Sequence, residues 1–147
     1  MDNDYLKLEN QLCFPIYAAS RLITRAYQPF LENLKITYPQ YLVLLVLWEK
    51  DEISVNDIAN KLILNTNTIT PLLKRMEEQR LICRERSKSD ERKVIVKLTK
   101  KGLHLKEEAK TIPEEIAETI KGVELEIDHY VQLKHNLNLI IAQLSNK

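Results

Sequence analysis

Two glycines in 147 residues are the strongest constraint on what this chain can become. Average usage is about 7%, and a large β-sandwich or a nucleotide-binding α/β fold needs glycine at many of its turns. The expected fold is therefore mainly α-helical, with few strands. The length suits a single domain, residues 1–147. Forty-four per cent of residues are hydrophobic, so a packed core is expected and disorder is not.

No apolar run approaches the roughly 18–20 residues that span a bilayer. The longest, Tyr41–Trp48, is too short, and MDNDYLKLEN has no signal-peptide layout. The reading is a cytoplasmic protein that does not meet a membrane. Cys13 and Cys83 lie far apart in a chain without export signals, which argues against a structural disulfide. Neither has a second cysteine or a histidine at metal-ligand spacing. His104, His129 and His135 sit among charged residues, as on a solvated helix face. No metal or cofactor is expected.

Residues 6–34 repeat Leu8, Leu12, Ile16, Ile23, Ala26, Phe30 and Leu34 at helical steps, which predicts a long helix. Pro15 removes a backbone hydrogen bond there. Either the helix proper starts near Phe14, or it kinks. In both cases Cys13 lies within a turn of a helix end or break, where free N–H groups favour a thiolate. Thr37, Pro39 and Gln40 predict the start of a second helix by capping-box spacing. Its run YLVLLVLWEK is apolar on nearly every face, so it belongs in the middle of the domain.

Residues 52–101 carry the most specific pattern. Ser54 caps a short helix, Val55–Lys61. Asn65 or Thr66 caps another, running to about Arg80 with Ile69, Leu72, Leu73 and Met76 inward. Leu81–Arg86 and Lys93–Leu98 read as two strands around a charged tip, Ser87–Arg92. Two short helices and then a hairpin make a winged helix-turn-helix lobe, residues 36–101. Beyond it, Thr99 caps a helix to about Thr119 that Pro113 bends or divides. Gly122 ends that helix, and another follows from Val123 to Leu144. The outer segments, 6–34 and 102–145, have apolar stripes and no second core, which predicts that two copies pair through them.

Net charge is only +1, yet residues 64–101 hold eleven Lys/Arg against five Asp/Glu, or +6, leaving −5 elsewhere. Such a local patch is the footprint of phosphate contact. A helix entering the major groove needs short polar side chains at its leading end. Asn65, Thr66, Asn67, Thr68 and Thr70 supply them, although capping claims at least one. Lys74 and Arg75 would reach phosphates. On the wing, Arg86, Lys88 and Arg92 face DNA, and an arginine suits a narrow minor groove. Asp90 stands two residues before Arg92, placed to hold it by an ion pair.

With LLKRMEEQRLI, an R-x-R-S-x-x-D-E-R wing and an L-T-x-x-G helix start, the chain resembles the MarR family of dimeric bacterial repressors. LENQLCFPIYAASRLI and ITYPQYLVLLVLWE resemble its OhrR-like branch, which senses organic hydroperoxides. The resemblance implies a homodimer, with one recognition helix on each half-site of a pseudo-palindromic duplex operator. It implies that Cys13 is the peroxide-reactive cysteine. It also implies that Tyr27 and Tyr38 hydrogen-bond that sulfur from the other subunit. Two positions depart from the pattern. Asn65-Thr66-Asn67 replaces the usual acidic-serine-glycine start, and Cys83 lies in a wing strand rather than the C-terminal helices. That favours a one-cysteine switch completed by a low-molecular-weight thiol or by overoxidation. The alternatives are a MarR-type regulator of virulence, biofilm or efflux that answers a small phenolic ligand or general oxidative stress, and, ranked below it, a thiol peroxidase. An enzyme is not the expected reading.

Overall fold

The computed structural model describes residues 4–121 and 126–145. Among the described residues, seven α-helices run in chain order: α1 (Cys13–Asn33), α2 (Tyr38–Glu49), α3 (Val55–Leu62), α4 (Thr66–Glu78), α5 (Lys100–Glu108), α6 (Ile112–Ile120) and α7 (Ile127–Ser145). Three strands, β1 (Ile53–Ser54), β2 (Ile82–Arg86) and β3 (Val94–Leu98), form one antiparallel sheet in the order β1-β3-β2. Val96 and Ile95 are paired on both sides, Val96 with Ile53 and Arg84, and Ile95 with Ser54 and Glu85.

The N-terminal reading needs correction. Residues 4–10 form two short 3-10 turns rather than the first part of a helix, and α1 begins at Cys13. Pro15 thus falls in the first turn, where its missing N–H has no helical acceptor. Of the two outcomes foreseen for Pro15, the late start holds. Pro113 divides rather than bends: α5 ends at Glu108, and α6 starts at Ile112 with the proline in its first turn. The expected stop at Gly122 and the start of the last helix at Val123 lie outside the described residues.

Helix α2 is the centre, packed against α1, α3, α4 and α5. Val43, Leu44 and Leu47 are essentially inaccessible, and Ile58, Ile69, Leu73, Met76 and Val96 close around them. The capping box expected at Thr37 and Gln40 is present, and Gln40 Oε1 accepts the Thr37 backbone N–H at 2.9 Å. Gly102 is required by contact. A Cβ there would stand 2.1 Å from the Leu81 carbonyl oxygen, so only glycine lets α5 lie against the root of β2. The Trp48 indole donates to the Gly102 carbonyl at 2.9 Å across the same junction.

The scarcity of glycine has a second side. Lys35, Glu52, Ile63 and Arg80 all adopt left-handed φ near +56° to +59°, at turns where glycine is the usual choice. The chain turns without glycine by placing ordinary residues in a costly conformation. Ile63, β-branched and in the turn between α3 and α4, is the most strained of them.

Candidate nucleic-acid interface and redox site

Ser54 starts α3: its Oγ accepts the Asp57 N–H at 3.1 Å and donates to the Asp57 carboxylate at 2.7 Å. That bond from Ser54 holds the Asp57 carboxyl below its ordinary pKa. Asn65 starts α4, its Oδ1 accepting from Thr68 N at 2.9 Å and Thr68 Oγ1 at 3.0 Å. Of the five residues expected at the leading end, Asn65 and Thr68 are therefore engaged in the cap. Thr66, Asn67 and Thr70 are exposed, while Ile69, Leu72, Leu73 and Met76 anchor the opposite face. Lys74 and Arg75 are exposed further along, with Arg75 Nε donating to the Pro71 carbonyl at 3.4 Å.

The wing loop closes through Ser87 N–H to Lys93 O (2.8 Å) and Lys93 N–H to Asp90 O (2.9 Å). Arg86 and Lys88 are exposed, and the Arg92 side chain is 97% exposed. Asp90 meets Arg92 as expected, but mainly through the backbone. Its Oδ1 accepts the Arg92 N–H at 3.1 Å, whereas the guanidinium stands 4.0 Å away. The carboxylate shapes the loop and leaves the arginine free to extend. Between α3, α4 and the wing lies a cleft of about 210 Å³, lined by Asn56, Thr66, Thr70, Arg92 and Lys93 among others. The sequence reading passed over Asn56 and Lys93. Lys93 sits in the same basic run as Arg92 and could have been included; Asn56 carries no local signal.

Cys13 is exposed, at the first position of α1. Tyr27 and Tyr38 do meet, with ring centroids 5.0 Å apart, and Tyr41 lies 5.9 Å from Tyr27. Burial raises the pKa of all three phenols, so each remains a protonated donor at neutral pH. Within one chain, however, Cys13 is not brought to the tyrosines. It precedes Tyr27 by fourteen positions of one helix, or about 21 Å at 1.5 Å per residue. Cys83 is half-buried on β2, opposite Lys97 in register.

The family model for the transcriptional regulator SarA/Rot matches residues 25–109. The organic hydroperoxide resistance transcriptional regulator of Bacillus subtilis is 48% identical over 145 residues, 98% of this chain and 96% of that one. The chain belongs to the MarR-type transcriptional regulators. AbfR of Staphylococcus epidermidis, 36–37% identical, has a similar structure in several states. Its overoxidised and reduced forms bound to DNA superpose with TM-scores of 0.77 and 0.76, each covering 98% of this chain and 99% of that one. Its disulfide form gives 0.63, covering 96% and 97%.

In this MarR-type chain the outer helices leave large apolar side chains in solvent. On α1 these are Phe14, Tyr17, Leu22 and Ile23, and on α7 Tyr130, Val131, Leu139 and Ile140. Among the described residues, no helix is long and apolar enough to cross a membrane.

Proposed function

We propose that this MarR-type regulator is a cytoplasmic repressor. It binds a pseudo-palindromic duplex operator as a homodimer and leaves it when Cys13 is oxidised by an organic hydroperoxide. DNA contact is assigned to Thr66, Asn67 and Thr70 in the major groove. Lys74, Arg75, Arg86 and Lys88 take phosphates, and Arg92 takes the minor groove. The exposed apolar faces of α1 and α7 support pairing through those helices.

One observation carries the redox half: two neutral phenols, Tyr27 and Tyr38, have ring centroids 5.0 Å apart, and Tyr27 stands about 21 Å along α1 from its own chain's Cys13. Phenol donors this far from their own chain's sulfur support a role at the partner's. The thiolate attacks the distal peroxide oxygen and the O–O bond breaks. The alkoxide leaves and takes a proton to become an alcohol, and Cys13 becomes a sulfenic acid. A low-molecular-weight thiol then displaces hydroxide, released as water, to give a mixed disulfide. The present conformation is nearer to AbfR on DNA than to disulfide AbfR, which supports reading it as the binding form. Overoxidised AbfR is itself bound to DNA, which favours the disulfide, not overoxidation, as the releasing species here. The protein is consumed as a switch and is not an enzyme.

Operator retention in a gel tests this, with and without cumene hydroperoxide and a small thiol. Wild type is expected to release DNA on oxidation and Cys13→Ser to stay bound. Release by the serine variant would refute the assignment.

A second reading has one observation in its favour. A groove of about 630 Å³ beside Tyr38 is lined by Arg21, Arg25 and Thr24 as well as apolar residues, which suits an anionic phenolic ligand. DNA release by salicylate from reduced Cys13→Ser protein would support it.

A further inference from the structure

Gln40 is the one buried polar side chain among the described residues, 4% exposed. Both ends of its carboxamide are engaged. Oε1 accepts the Thr37 N–H at 2.9 Å, and Nε2 donates to Gln79 Oε1 at 2.8 Å. Thr37 adjoins Tyr38, one of the two tyrosines assigned to the sulfur. Gln79 is the C-terminal cap of α4, one turn beyond Arg75, and its own N–H returns to the Arg75 carbonyl at 3.0 Å. Lys101 of α5 donates to the Gln79 carbonyl at 3.0 Å. A single hydrogen-bonded line therefore joins the tyrosine end of α2 to the far end of the recognition helix and on to α5.

From this geometry we infer that Gln40 and Gln79 are positioning residues that transmit the state of the Tyr38 segment to the recognition helix. The inference rests on the oxidative release proposed above. A shift at Thr37–Tyr38 either drags Gln79 along or breaks the part-buried bond between the two carboxamides, which costs the net worth of that hydrogen bond. The α4 end follows because the alternative is worse. Helix α4 has a second tether of this kind in the Glu77–Arg84 pair, so the wing moves with it. Neither glutamine belongs to the DNA-facing set, and Gln79 is exposed apart from this bond.

The test is the ratio of operator dissociation constants for oxidised and reduced dimer, read by fluorescence anisotropy. Oxidised means treated with cumene hydroperoxide and cysteine. Gln79→Ala removes the acceptor at an exposed position and leaves the core intact. It is expected to bind DNA within about twofold of wild type when reduced, and to lower the oxidised-to-reduced ratio by about three- to tenfold, the net worth of one part-buried hydrogen bond. Gln79→Glu keeps an acceptor for Gln40 Nε2 and is expected to restore the wild-type ratio. Gln40→Leu and the double variant Gln40→Leu/Gln79→Ala are expected to match Gln79→Ala rather than add to it. A wild-type ratio in Gln79→Ala, or a Gln79→Glu protein as impaired as Gln79→Ala, overturns the assignment. If wild type itself shows no oxidative change, the proposed redox function fails first and this inference with it.

Discussion

Glu77 of α4 takes the Arg84 guanidinium in two hydrogen bonds, 2.7 and 3.0 Å, and the Arg84 backbone N–H in a third at 3.0 Å. Helix α4 and strand β2 are thereby joined by a partly buried ion pair. The Arg84 hydrogen bond is the chief cause of a lowered Glu77 pKa. A lowered folded pKa means that the added stability is complete above the ordinary glutamate value, about 4.3, and is lost as pH falls through the lower folded value. Glu77→Gln is expected to cost about 0.5–1 kcal/mol at neutral pH, small because both side chains are partly solvated. In thermal melts from pH 7 to pH 3, its deficit against wild type should shrink towards zero at the acid end. A deficit independent of pH would show that packing, not charge, holds the pair.

Ile63 turns the chain between α3 and α4 at φ 56° while 57% exposed. An isoleucine in that region is strained by about 1–2 kcal/mol, and glycine there loses more chain entropy on folding but no Cβ clash. Ile63→Gly is therefore expected to stabilise the protein by about 0.5–1 kcal/mol in urea unfolding. A loss of stability would mean that the exposed side chain packs more than its exposure suggests.

Asn65 and Asn67 separate capping from reading. Asn65→Ala removes the α4 cap and should cost about 1 kcal/mol of stability together with DNA affinity. Asn67→Ala should leave the melting temperature within a degree or so and weaken operator binding about tenfold, consistent with one base contact. Equal losses of stability in the two variants would remove the distinction.

Arg92, free to extend from a loop shaped by Asp90, is expected to neutralise DNA charge. Arg92→Ala should weaken binding about tenfold and flatten the plot of log affinity against log salt by roughly one unit. An unchanged slope would take Arg92 off the DNA.

Much of this was legible along the chain because the signals are local. Ser54, Asn65 and Thr99 cap helices through bonds to residues three positions on. Alternation in Val94, Val96 and Leu98 announces a strand. The apolar run of α2 announces a central helix. What the sequence left open had local ambiguity. Pro15 allowed a kink or a start, and Pro113 a bend or a break. The polar cluster at Asn65–Thr70 looked uniform because a cap and a reading face use the same residue types. Only the fold separates Asn65 and Thr68, which bond each other, from Thr66, Asn67 and Thr70, which face outward.

The sequence by itself determined the helical fold, the winged helix-turn-helix and the basic character of its output end, since periodicity, caps and charge runs act within a few residues. Only the tertiary structure decided that Tyr27 meets Tyr38 across two helices. It alone decided that Gln40 reaches Gln79 and that Gly102 seats α5 under Leu81. Those relations join residues distant along the chain through burial and contact, and no short-range pattern encodes which distant atoms will meet.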